Sequence, residues 1–522
     1  MPQAQNGAND VFRLFTEPIN RKPHLELLED KLQALENEIE AFSRRPAALS
    51  HDLLRRFDES GPSRRIASQP RPFLPILPNV TLNQGFGSVT VAELDEGYYS
   101  VVSRSDVEAS LRRWTNETPL DLRENLVRLF LPFRHHFNFR MNIPSFLQKL
   151  RLPESHPRSI HPGLMDAISL AACSLGGGSM SGFESFFLNR TRTYLQQALA
   201  YGNRLMHFMW ASVILSCYYA RAGRIVEAHN TISATVMFAV GCGLHKKAVI
   251  VNGAPYAMLA PPADEIEANE RAALWNAIFI SDSTISGASG LPVSFPGDNI
   301  ASMHALFPST PGRVANGDYL IDVKAVSLFE TIREYASASK DASHDHSHSF
   351  WGQFKSLASV LAEFQRTLPP PDDPWGLQPG EIVSPTNPYI VHAHMCSQVC
   401  TMLLYNIIIH HDANAYHKVL DAAYSMASLV RRIRGSRGSA SIQTPCSLIS
   451  RVYCGCEVLI REIVQIRSSS LPEPNSRLDR AENALGSLLD MLFDLTLLYP
   501  SWLQSIRGLR DLLLGNGSYE YI

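Results

Sequence analysis

Cysteine is scarce in this chain. Its 522 residues include eight, Cys173, Cys217, Cys242, Cys396, Cys400, Cys446, Cys454 and Cys456, and none precedes Cys173. So low a density excludes a disulfide-stapled scaffold and fits a reducing, intracellular compartment. Long hydrophobic runs are missing as well. The densest apolar stretch, Leu205 to Ala220, is 16 residues long and includes His207, Ser212 and Ser216. A membrane span needs about 20 predominantly apolar residues, so no membrane partner is expected. Charge of one sign is not in excess either: 47 basic residues face 50 acidic ones, a net charge of −3. That excludes a chain basic throughout, of the kind that coats nucleic acid electrostatically. The opening MPQAQNGAND has no basic start followed by an apolar core, so no secretory leader is expected. Hydrophobic residues are nonetheless 45% of the chain, enough to bury a large core and to exclude wholesale disorder. Two to four domain-sized units are expected at roughly 100–200 residues each.

Motifs of common chemistry are also lacking. GASGL at 287–291 ends in Leu291 where a nucleophile elbow needs glycine. GCGLHK at 241–246 lacks the third glycine of a dinucleotide fingerprint and reads as a glycine-ended helix. No phosphate loop of the G-x-x-x-x-G-K-[ST] type occurs. Cys396 and Cys400, and Cys454 and Cys456, lack zinc-module spacing and read as buried free thiols. His344, His346 and His348 alternate in a Ser/Asp-rich stretch with no rigid support for a metal. Asp264, Glu265, Glu267 and Glu270 crowd one helix start, where the helix dipole favours acids. No nucleophile, base and orienting group can be named together. The expectation is a protein that is not an enzyme, with no catalytic residue, no metal ligand and no cofactor in this chain.

What is present is helical patterning. Leu25, Leu28, Leu32, Leu35, Ile39 and Phe42 recur at steps of 3 and 4, a heptad seam between Pro23 and Pro46. It reads either as the seam of a homo- or heterodimer or as an amphipathic helix docked on its own domain. Residues 46–105 read as a Pro/Ser/Arg-rich linker, with five prolines from Pro62 to Pro78. Its Arg pairs suit either a nuclear-import signal or a solvated linker. From about residue 106 the pattern is helical, with few strand signals. Pro162 opens one helix. The segments 192–224 and 225–245 read as a helix pair turning at Gly223. Further helices are expected near 320–337, 349–367, 388–411, 415–435, 445–468 and 475–498. The fold class is therefore all-α: a large helical domain of antiparallel helix pairs behind a short N-terminal coiled-coil helix. The chain divides into 1–45, 46–105, a helical core at 106–310 and a C-terminal helical part at 311–522.

The ordered landmarks then suggest a family. LVRLFLPFRHHFNFRMNIPSFL (126–147) and HPGLMDAISLAA (161–172) open the series. GRIVEAHNTISATVMFAVGCGLHK (223–246) supplies Gly223, Arg224, Glu227, Ala228, Gly243, Leu244 and His245. ERAALWNAIFISDSTISGASGLPVSF (270–295) supplies Glu270, Arg271, Trp275, Asp282 and Pro292. This order resembles the middle homology region of the fungal zinc binuclear cluster transcription factors. The basic residues and heptads of 21–42 resemble the linker and coiled coil that follow the zinc cluster in that family. The resemblance implies a nuclear regulator of RNA polymerase II transcription whose helical domain controls its activity. Relatives bind two zinc ions in a six-cysteine cluster, and no cysteine here lies ahead of the heptads. Promoter DNA is therefore expected to be bound directly only if such a cluster is restored, and otherwise through a partner. The alternative is a non-enzymatic α-helical scaffold or adaptor. The 203–244 pair, with Tyr218, Gly223, Glu227 and Ala228, looks like a tetratricopeptide unit, although no 34-residue period is sustained.

Overall fold

The computed structural model describes residues 120–153, 155–176, 178–246, 258–295, 317–341, 348–371, 387–435, 447–468, 474–498 and 509. The heptad positions Leu25, Leu28, Leu32, Leu35, Ile39 and Phe42, the 46–105 segment and His344 to His346 lie outside them. Among the described residues there are thirteen α-helices and no strand, so the chain is all-α. In the N-terminal part these are α1 (Leu120–Phe130), α2 (Ile143–Leu150), α3 (Pro162–Gly176), α4 (Glu184–Tyr201), α5 (Leu205–Arg221), α6 (Ile225–Gly241) and α7 (Glu265–Ser289). In the C-terminal part they are α8 (Gly317–Asp341), α9 (His348–Thr367), α10 (Pro388–Asn406), α11 (Ala413–Gly435), α12 (Leu448–Ser468) and α13 (Pro474–Leu498). None of them is long and apolar enough to cross a membrane.

Local chemistry sets the helix ends. Asn142 caps α2 by accepting from Ser145 N–H at 2.9 Å. Asp264 caps α7 by accepting from Glu267 N–H at 2.8 Å, and Glu267 reaches back to Ala263 N–H at 2.9 Å. Asn387 caps α10, with Pro388 in the first turn where its missing N–H costs nothing. Pro132 follows α1, and Leu131–Phe137 tightens to a 3₁₀ turn.

One expected element divides. The sequence pattern runs 192–224 together, but the chain breaks at Gly202, Asn203 and Arg204. Gly202 and Arg204 both take left-handed backbone angles, φ 60° and 48°. The left-handed joint ends α4 and re-aims the chain into α5.

The helices enclose two apolar cores. The first is built mainly from α1–α7, with Phe130, Phe139, Phe146, Trp210 and Trp275 at its centre. The second lies among α8–α13, around Ile332, Val399, Met426, Ile460 and Leu488. They meet along α8 and α10. Val323 and Val326 of α8 and Ala393 and Cys396 of α10 belong to the first core. Phe329 and Ile332 of α8, and Met395 and Val399 of α10, belong to the second.

Candidate functional site

The landmark residues gather around α5–α7. Gly223, at φ 76°, makes the turn from α5 to α6, a conformation costly for a residue with Cβ. Arg224 follows, paired with the Glu227 carboxylate and lying 4.6 Å from the centre of the Tyr219 ring. Arg192 of α4 joins them, 3.2 Å from Glu227 and 2.8 Å from the Tyr219 hydroxyl. The Arg224 hydrogen bonds hold the Glu227 carboxyl below its usual range. Ala228 is fully buried against the first core. At the far end of α6, Gly243 (φ 78°) stops the helix. Leu244 is buried, and the His245 ring lies 6.2 Å from that of Trp275.

Helix α7 carries the rest. Lys149 of α2 donates to Glu270 at 2.7 Å. Arg271 is buried, donating to Glu267 at 2.8 Å and to the Ala260 carbonyl. Trp275 packs on Phe295 at 4.7 Å between ring centres. Asp282 fastens the strap that follows α7. Its Oδ2 accepts from the backbone N–H groups of Ser294 at 2.7 Å and Phe295 at 3.3 Å. The Pro292 carbonyl lies 3.1 Å from His229 Nε2 of α6 and accepts from Ser286 Oγ at 3.3 Å. Burial pushes the Asp282 carboxyl up to about 6, opposed by those backbone hydrogen bonds. The grouping can brace a strap against two helices, and every partner named for it is used structurally.

A second grouping was not visible in the sequence. Along the α8–α10 boundary lies a chain of buried groups of alternating charge. Arg140, just before α2, bonds Asp322 of α8. Asp322 also bonds Nδ1 of His392 on α10. His392 Nε2 lies 2.7 Å from Ser447 Oγ and 3.5 Å from Cys396 Sγ. Arg451 of α12, whose charge draws down the Cys396 thiol, lies 3.6 Å from the centre of the Phe329 ring. Beyond it, Glu330 of α8 accepts from Ser283 of α7 and from Arg333. Asp322, His392, Cys396 and Glu330 are all 0% exposed, Arg140 2% and Arg451 4%. At its N-terminal end Arg140 lies 4.6 Å from the Tyr389 ring centre, and the Tyr389 hydroxyl is 2.8 Å from His135 Nδ1.

Charge partners set these protonation states against burial. Burial alone would raise the Asp322 carboxyl, yet His392 and Arg140 hold it below its ordinary value. Burial alone would lower His392, yet Cys396 and Asp322 carry it up to about 9. Burial alone would raise the Cys396 thiol, yet His392 and Arg451 bring it down. Cys400, one turn further along α10, has no such compensation, and burial drives it well above its ordinary value. His135, near Arg134, His136 and Arg140, is held neutral, chiefly by burial. Buried ions persist only when paired this closely, because a lone charge in a dry interior is prohibitively costly.

Asp322, His392 and Ser447 or Cys396 thus form an orienting acid, an imidazole and a nucleophile within bonding reach. Sequence reading paired Cys396 with Cys400. The pairing that matters is His392 with Cys396, also four apart and on the same face of α10. Asp322 and Ser447 are 70 and 55 residues from His392, a distance no local spacing encodes. Among the described residues no group of three or more His, Cys, Asp and Glu is arranged to hold a metal ion. In comparisons with known protein families, with curated proteins and with solved structures, nothing matches this chain.

Proposed function

We propose that this chain is the regulatory part of a nuclear transcription regulator of the fungal zinc binuclear cluster class. Its helical domain controls RNA polymerase II transcription and carries out no chemistry of its own in that role. The reading rests on the ordered landmarks from Gly223 to Pro292. Its support in the fold is that these residues serve one unit: the α5–α6 turn, the α6 stop and the α7 strap. The chain reaches promoter DNA directly where a six-cysteine cluster is restored and otherwise through a dimer partner, with Leu25, Leu28, Leu32, Leu35, Ile39 and Phe42 as the dimer seam.

The decisive measurement is genome-wide occupancy of the tagged, natively expressed protein, with its localisation. Nuclear residence and enrichment at promoters are expected. Residence outside the nucleus with no promoter enrichment under several nutrient conditions sinks the proposal. Leu28→Lys with Leu35→Lys should halve the mass in solution, and an unchanged mass removes the dimer seam. The helix–turn–helix at Tyr218 and Gly223 favours a second reading, a helical scaffold. Peptide binding by a protein that never enters the nucleus distinguishes it.

A further inference from the structure

We propose that Cys396 is a covalent modification site: a sulfur set beside the Asp322-oriented imidazole of His392 where the two cores meet, which takes up small electrophiles of the α,β-unsaturated carbonyl class. His392 Nε2 lies 3.5 Å from the sulfur, and the positive charge of Arg451 on α12 also favours the thiolate. The imidazole is oriented from behind by Asp322, and Asp322 is itself gripped by Arg140. A thiolate beside a positioned, cationic imidazole is the arrangement that activates sulfur toward carbon electrophiles.

The surroundings give no competing acid to the sulfur. From α8, Asp322 is committed to Arg140 and His392, and Glu330 to Ser283 and Arg333. From α12, Arg451 is cationic, and burial pushes the Cys454 thiol up. From α10 itself, Cys400 is a neutral thiol. Cys396 and Cys400 are therefore an internal pair. Both are fully buried and one helical turn apart, in opposite electrostatic settings.

The reaction balances without an oxidant. The Cys396 sulfur attacks the β-carbon, an S–C bond forms, and the π pair moves to the α-carbon side as an enolate. The α-carbon then takes the proton of His392 Nε2, directly or through the Ser447 hydroxyl 2.7 Å away. His392 ends as a neutral imidazole and Asp322 remains ionised beside Arg140. The adduct removes the Cys396–His392 charge pair and inserts bulk between α8, α10 and α12. Because Cys396 is 0% exposed, labelling proceeds through opening of this boundary, with His392 still one turn from the sulfur on the same helix.

The test treats the full chain with N-ethylmaleimide from pH 6 to 8.5 and follows each cysteine by peptide mass spectrometry. Cys396 should label at least about tenfold faster than Cys400 at pH 6.5, since only the thiolate reacts. Its rate should climb less steeply with pH than that of Cys400, which climbs by about tenfold per pH unit. His392→Phe should abolish the advantage and give Cys396 the same steep pH profile. If that variant does not fold, the two wild-type profiles decide alone. Equal rates, parallel pH profiles, or no labelling of Cys396 while half-buried Cys454 labels completely would each overturn the proposal.

Discussion

Asp282 and Asp322 are the same side chain at the same depth, both 0% exposed, and their carboxyls shift in opposite directions. Asp282 is held by two backbone N–H groups, and burial prevails, carrying it up to about 6. Asp322 is held by Arg140 and His392, and the charges prevail over burial. Backbone dipoles are enough to fasten a strap, but full opposite charges are needed to hold a buried carboxyl below its ordinary value. The two residues also join at different scales. Asp282 fixes a segment twelve residues away, whereas Asp322 ties groups 182 and 70 residues distant.

The largest effect is expected at Asp322. Asp322→Leu leaves Arg140 and His392 buried without their acid and should cost about 3–5 kcal/mol, read from the urea midpoint. Arg140→Met, Asp322→Leu and His392→Leu together should recover at least half of that loss, because no stranded charge remains. A single-variant cost as small as that of a surface substitution breaks the comparison.

The pH profiles should then diverge. Asp322 titrates below its ordinary value when folded. Its stabilisation is present above the unfolded carboxyl value, 3.8, and is lost as the pH falls through the folded value. His392 titrates near 9 when folded and 6.5 when unfolded. Its contribution is complete below pH 6.5 and is lost as the pH rises through 9. Asp282 runs the other way. Raised from 3.8 to about 6, it opposes folding when ionised, and that penalty is relieved as the pH falls from 7 toward 4. At about 1.4 kcal/mol per unit the relief amounts to at most about 3 kcal/mol. Urea midpoints against pH for wild type and Asp282→Asn should differ by this slope, and equal slopes refute it.

Smaller changes sharpen the local side of the contrast. Asp282→Ala strands the N–H groups of Ser294 and Phe295 and should cost about 1–3 kcal/mol. A change in Trp275 fluorescence should accompany it, because Phe295 packs on that ring. Asn387→Ala removes only the α10 cap and should cost about 1 kcal/mol, also read by urea unfolding. Should the cap prove costlier than Asp322, the ranking of long-range charge over local hydrogen bonding fails.

Much of the fold was legible. Pro162 and Pro388 each stand at the first position of a helix, and Gly223 stands at a left-handed turn, because these residues act through their own backbone. The strap anchors Asp282 and Pro292 were legible only as spaced landmarks; that one holds the strap by backbone N–H bonds and the other offers its carbonyl to His229 was not. The α4–α5 break was missed because apolar periodicity continues across Gly202, and a left-handed arginine at 204 has no sequence signal. The Arg140–Asp322–His392–Cys396–Arg451 chain was missed for a different reason. Each member looks, in its own stretch of sequence, like an ordinary polar residue or buried thiol.

By itself, then, the sequence determined the helical class, most helix ends and which faces turn inward. Each of these follows from interactions within a few residues along the chain. Tertiary structure alone decided that α8 and α10 serve two cores at once, and that charges from four separate segments meet between them. Ionisation inside a protein depends on what stands within a few ångströms in space, and only the packed chain sets that. Scarce cysteine was the chain's first visible feature, but what distinguishes Cys396 from Cys400, one turn away, is set wholly by that neighbourhood.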